Sequence, residues 1–152
     1  MALRMRGIIT ISLLAGLSLS ACNQSETPKL PTAAQVEPTL KSHINRTLRN
    51  AFATDVRVTD PGGRDIPCGN SSAKRTYAVK AKAGIGSGNP EMVVLALISG
   101  LHQVAKYQLP SYAVSLTEQA AVSAQYRTRL VLSSPKKGEM VVRGETECLP
   151  LK

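Results

Sequence analysis

The sequence predicts an α+β domain: one antiparallel sheet of four to five strands with one or two helices packed on one face. Three observations carry this expectation. From Pro38 onward, Leu40, Ile44, Leu48, Ala51 and Phe52 recur at spacings of three and four residues, the apolar stripe of a helix. Residues 74–83, and again 122–132 and 139–148, alternate apolar and polar with period two, as strands buried on one side do. The order of elements is helix, two strands, a further helical segment and three strands, and layering helices on a single sheet is the natural way to bury their apolar faces.

The first element is a leader. Arg4 and Arg6 give a basic start, and an apolar run from Gly7 to Leu19 follows. About 13 residues are too few to span a ~30 Å hydrocarbon core comfortably as a helix, so a cleaved signal peptide is expected over residues 1–21. Leu19-Ser20-Ala21-Cys22 resembles the lipobox of bacterial lipoproteins. The resemblance covers the first 22 residues and names no family for the rest. It implies cleavage before Cys22, a diacylglyceryl thioether on its sulfur and a fatty acyl group on the new amine. One chain anchors marginally, whereas three hold essentially permanently. Asn23 in place of Asp favours the outer membrane in the sorting pattern of such proteins, with the domain facing the periplasm.

Residues 22–36, polar and punctuated by Pro28 and Pro31, read as the lipidated cysteine and a flexible tether reaching roughly 40 Å. The domain proper is expected over 37–152. Pro38 suits the first turn of its opening helix, where a missing N–H costs nothing; Lys41, His43, Arg46 and Arg49 fall largely off the apolar stripe. Val56 and Val58 alternate with Asp55, Arg57 and Thr59 as a short strand, closed by the turn Asp60-Pro61-Gly62-Gly63-Arg64-Asp65. A strand over Lys74–Ala83 turns Tyr77, Val79, Ala81 and Ala83 one way and Lys74, Thr76, Lys80 and Lys82 the other. Gly84-Ile85-Gly86-Ser87-Gly88 lacks the spacing of a dinucleotide fingerprint and any Gly-Lys-Ser/Thr, so it reads as a connection into an Asn89 N-cap with Pro90 at N1. The segment 92–106 is compatible with a helix or with a buried strand over Met92–Ile98; the Asn-Pro-Glu start favours the helix, and Gly100 weakens it.

Tyr112–Leu116 reads as a strand with a turn near Thr117-Glu118-Gln119. Val122, Ala124, Tyr126, Thr128, Leu130 and Leu132 then line one face of a longer strand. Across the turn Ser134–Gly138, Met140, Val142, Gly144, Thr146 and Cys148 line its partner. Arg127 and Arg129 are expected opposite Glu145 and Glu147, each pair worth a few tenths of a kcal/mol.

Without the leader the chain keeps 17 of its 19 basic residues against 10 acidic ones. Such a surface favours lipid phosphates, cell-wall carboxylates or an acidic protein, and it is an awkward choice for an inhibitor of a basic lytic enzyme. The absence of Trp and the scarcity of other aromatics speak against nucleic acid. With Cys22 lipidated, Cys68 and Cys148 form an even pair, expected as a disulfide closing a loop of about 80 residues and contributing roughly 4 kcal/mol.

Candidates for catalysis are thin. His43 and His102 have no acid or hydroxyl neighbour at a telling spacing, and the pairs Asp60/Asp65 and Glu145/Glu147 are ordinary for turns and strand faces. No catalytic residue, metal or cofactor is assigned. The best candidate binding face is Lys74, Lys80 and Lys82. The resulting expectation is a non-enzymatic envelope lipoprotein that binds a protein partner at the membrane, of the assembly or secretion-accessory type, with an anionic envelope component as a further ligand. The alternative is a periplasmic immunity or inhibitor protein that neutralises a toxin or lytic enzyme.

Overall fold

The computed structural model describes residues 29–86, 88–110 and 115–151. The leader and Cys22 therefore lie outside the described residues, as do Tyr112, Ala113 and Val114 of the strand expected there. The fold is α+β. A five-stranded antiparallel sheet runs in the order β1 (Ala53–Asp60), β4 (Thr76–Ala83), β7 (Glu139–Thr146), β6 (Thr128–Ser133), β5 (Glu118–Ser123). Helices α1 (Ala33–Asn50) and α2 (Pro90–His102) pack on one of its faces and on each other. A small second sheet, unforeseen from its very short strands, joins β2 (Ile66–Pro67), β3 (Ser72–Lys74) and β8 (Leu149–Pro150).

α1 begins earlier than Pro38 suggests. Thr32 caps it, with its side chain accepting from the Gln35 N–H while the Gln35 carboxamide oxygen accepts from the Thr32 N–H at 2.8 Å, a reciprocal capping box. Ala33 and Val36 then bury against Leu149, so residues 33–36 belong to the domain and not to a tether. Pro38 sits inside the helix; the carbonyl it leaves unbonded is that of Ala34, an exposed residue whose oxygen water can serve. The expected stripe is buried at Leu40, Ile44, Leu48 and Ala51. Phe52 leaves it, because the chain turns out of the helix there with φ at +57° and the ring faces water.

The segment from residue 90 is helical. Asn89 Oδ1 accepts from the Glu91 N–H at 2.9 Å and Pro90 opens the first turn. Gly100 is required by packing: a Cβ there would lie 2.7 Å from the Thr47 carbonyl oxygen, where the two helices touch. The inward residues are Tyr77, Val79 and Ala81 of β4, Met140, Val142 and Gly144 of β7, and Leu130 and Leu132 of β6; with Val93, Leu97 and Leu101 of α2 they form one core.

Three strand expectations need correction. The strand read over 74–83 breaks at Arg75, so Lys74 belongs to β3 and pairs in the small sheet. The strand read through 122–132 is a hairpin, because residues 124–127 turn, with Arg127 at φ +50° and its N–H on the Ala124 carbonyl. The parity read from 128–132 holds for β6 but not for β5, where Ala121 and Ser123 face in and Val122 faces out. Val56 and Val58 are not buried either. β1 is an edge strand beyond the cover of the helices, bulged twice against β4. The hairpin of β6 and β7 has the expected turn and faces, with Leu130 opposite Gly144 and Leu132 opposite Val142. Cys68 and Cys148 are disulfide-bonded with Cα atoms 6.0 Å apart, which ties the small sheet to the end of β7.

Candidate binding face

Because α1 and α2 lie on one side, alternation along each strand delivers the intervening residues to a face that no described element covers. Lys80 and Lys82 of β4, Arg57 of β1, Arg143 and Glu145 of β7 and Arg129 of β6 all point there. Two shallow concavities mark this face. One, of about 690 Å³, is lined by Arg57, Lys80, Lys82 and Lys137 together with Asp55 and Glu139. The other, of about 330 Å³, is lined by Arg129, Arg143, Val131, Thr76, Asp60 and Glu145.

The three lysines picked out by sequence reach this face but do not act as bare cations. Lys80 pairs with Glu139 and Lys82 with Asp55, each at 2.7 Å, and Lys74 reaches Glu145 at 2.8 Å. The hydrogen bond from Lys82 holds the Asp55 carboxyl below the ordinary range. Arg129 stands opposite Glu145 in the strand register, yet Lys74 takes that carboxylate, so the expected Arg129–Glu145 pair does not form. The Arg127–Glu147 pair does, at 3.0 Å. Arg143 reaches Glu118 at 3.2 Å. Among the described residues, Arg57, Arg129 and Lys137 make no ion pair. They are the cations left for a ligand, and sequence reading missed Arg57 and Lys137 as members of the face. The alternation that marked Lys80 marks Arg129 and Arg143 equally, but only the strand order brings them side by side.

Two polar clusters lie elsewhere. Glu37 is 4% exposed and takes three donors: Lys41 at 2.7 Å, Arg75 at 2.6 Å and the Gly63 N–H at 2.6 Å. Burial pushes its pKa up, but the bonds from Lys41, Arg75 and Gly63 outweigh this and hold the carboxyl below the usual range. Arg75 also binds Asp65 at 2.7 Å, and its own pKa is raised by those two carboxylates. This cluster locks α1 to the 60–65 turn; a Cβ at Gly62 would collide with Glu37 and with the Thr76 carbonyl. No residue pattern announced it, since Glu37 lies just before the proline taken as the helix start.

The second cluster contains His43, which is packed. Its Nδ1 lies 3.0 Å from the Tyr107 hydroxyl, which is 2.8 Å from Thr128 Oγ1, and its ring meets Tyr126 edge-on. Burial, aided by Arg46, pushes its pKa down. His102 is exposed at the end of α2. Among the described residues no three His, Cys, Asp or Glu side chains converge as metal ligands, and no helix is long and apolar enough to cross a membrane. Comparison with known proteins finds no matching family model, no matching curated protein and no matching solved structure.

Proposed function

We propose that this chain is a cell-envelope lipoprotein, anchored through Cys22, that holds an acidic protein partner against the uncovered face of its five-stranded sheet. The observation that carries the reading is the one-sided cover of the sheet. Among the described residues α1 and α2 pack on one face, and the other presents Arg57, Arg129 and Arg143 around two open concavities. The helices and the sheet already make a complete two-layer domain, so the fold does not need the open face, and it is available to a partner. The lysine–carboxylate pairs flanking the arginines contribute little to stability where they stand. They are free to exchange partners on docking, as polar rims of interfaces do.

The test is affinity capture from envelope extract with the domain and with an Arg57→Glu/Arg129→Glu variant, melting both proteins in parallel. A protein retained at low salt by the first and lost by the second, at unchanged melting temperature, supports the reading. Equal retention by both removes the sheet face from it. A captured toxin or lytic enzyme would shift the role to immunity, and recovery of lipopolysaccharide without protein would overturn protein binding altogether.

A further inference from the structure

Four large apolar side chains are exposed at one end of the domain: Phe52 at 61%, Ile85 at 63%, Met92 at 60% and Leu95 at 56%. They come from three segments held together by the backbone. The Gly84 N–H bonds to the Phe52 carbonyl at 2.9 Å, and Ile85 and Met92 line one apolar concavity of about 190 Å³ with Ala51, Ala83 and Ala96. Leu95 follows Met92 one turn along α2, on its exposed side. Phe52 sits in the left-handed backbone region, uncommon for a bulky residue, with its ring outside the core. That backbone conformation closes α1, with the Phe52 N–H on the Arg49 carbonyl at 3.1 Å; what the fold's packing leaves uncovered is the ring.

The border of this patch is basic. The Lys136-Lys137 turn is fastened beside it, since the Gly138 N–H bonds to the Gly88 carbonyl at 2.7 Å and its carbonyl accepts from Ala83 at 2.9 Å. Arg49 lies in the last turn of α1, three residues before Phe52. Lys82 and Asp55 neutralise each other nearby, and Glu91 is the opposing charge beside Met92. Ala83 lines both the apolar concavity and the basic one on the sheet, so the two surfaces are continuous.

We propose that this end docks on an anionic phospholipid bilayer, with Phe52, Ile85, Met92 and Leu95 entering the headgroup boundary and Arg49, Lys136 and Lys137 meeting lipid phosphates. Apolar insertion bordered by cations is how proteins bind anionic bilayers at the interface. The inference rests on the anchored reading above, and the lengths agree with it. α1 carries the chain about 27 Å from its capped end to the patch. The ten residues from Asn23 to Thr32 can extend about 33 Å, enough to bring the patch down to the bilayer that holds the anchor.

The chain contains no Trp, so Phe52→Trp, Met92→Trp and, as a control at the opposite end of α1, Leu151→Trp each give a single reporter in the full-length protein. The proteins are reconstituted in vesicles of phosphatidylethanolamine and phosphatidylglycerol carrying a spin-labelled lipid. Expected is a blue-shifted emission at Phe52→Trp and Met92→Trp, quenched at least threefold more than at Leu151→Trp. Adding Arg49→Glu and Lys136→Glu, or replacing the lipid with phosphatidylcholine, should return the emission toward its value in water. Protein that sediments with the vesicles while both tip reporters stay unquenched overturns the docking and leaves the anchor standing. Protein that does not sediment at all overturns both. An emission shift that needs envelope protein and not lipid assigns the tip to a protein partner and also overturns the proposal.

Discussion

Along β6, Thr128, Leu130 and Leu132 point into the helices while Arg129 and Val131, between them, point to the open face. The two sides of this one strand obey different rules. On the helix side an unbonded polar group is costly, because burial leaves little water to serve it; Thr128 accordingly meets Tyr107, which meets His43, and Thr47 Oγ1 is the buried side-chain atom left without a partner among the described residues. On the open side Arg129 stands without an ion pair among the described residues at little cost, because water solvates it. Polar residues on the covered side therefore report on folding, and those on the open side are available for recognition.

The sharpest way to break that distinction is to remove apolar volume from the covered side. Leu130→Ala should cost about 2–5 kcal/mol, read as a lowered urea midpoint. Glu37→Ala comes next. It leaves Arg75 with Asp65 alone and the Gly63 N–H without its acceptor, for about 1–3 kcal/mol. It should also flatten the acid limb of stability. Since Glu37 is depressed in the fold, the unfolded chain takes up the proton first, so its contribution is full above the ordinary 4.5 and is lost as pH falls through the lower folded value. A wild-type-like slope in the variant would remove Glu37 from the acid response.

Tyr107→Phe should cost about 1 kcal/mol by breaking the bonds to His43 and Thr128. His43 gives this cluster a pH signature of its own. Its folded pKa lies below the ordinary 6.5, so stability is complete above 6.5 and declines as pH falls toward the folded value. His43→Leu should abolish that decline, as thermal melts between pH 7 and 5 would register. Lys82→Ala, on the open side, should move stability by less than about 0.5 kcal/mol; a larger loss would show that the exposed pairs hold the sheet together.

The period-two alternation of β4 and of the β6–β7 hairpin was legible because burial on one side imposes it. The helix after Asn89 was legible from its cap and from Pro90. What escaped depends on distant partners. Burial of Val56 and Val58 would have needed cover that α1 and α2 do not extend to β1. The breaks at Arg75 and at residues 124–127 interrupt runs whose alternation looks continuous. The capping box of Thr32 and Gln35 was a readable signal, obscured by the prolines on either side of it. At the candidate face, Lys80 and Lys82 were visible as outward residues of β4, and Lys74 was read with them only because the alternation runs on through the break at Arg75. Their carboxylate partners were not, because Glu139, Asp55 and Glu145 come from other elements whose order the alternation does not encode.

The Cys68–Cys148 bond makes a closed covalent ring of β3, β4, α2 and the last three strands of the large sheet. A protease that cuts once within that ring, in the glycine-rich connection after β4 for instance, yields a nicked molecule of unchanged mass apart from one added water. The pieces part only when a thiol is supplied. α1 and β1 lie outside the ring and have no such insurance, so a single cut after residue 60 would leave them held by non-covalent contacts alone, the pairing of β1 with β4 and the Glu37–Arg75 bond among them.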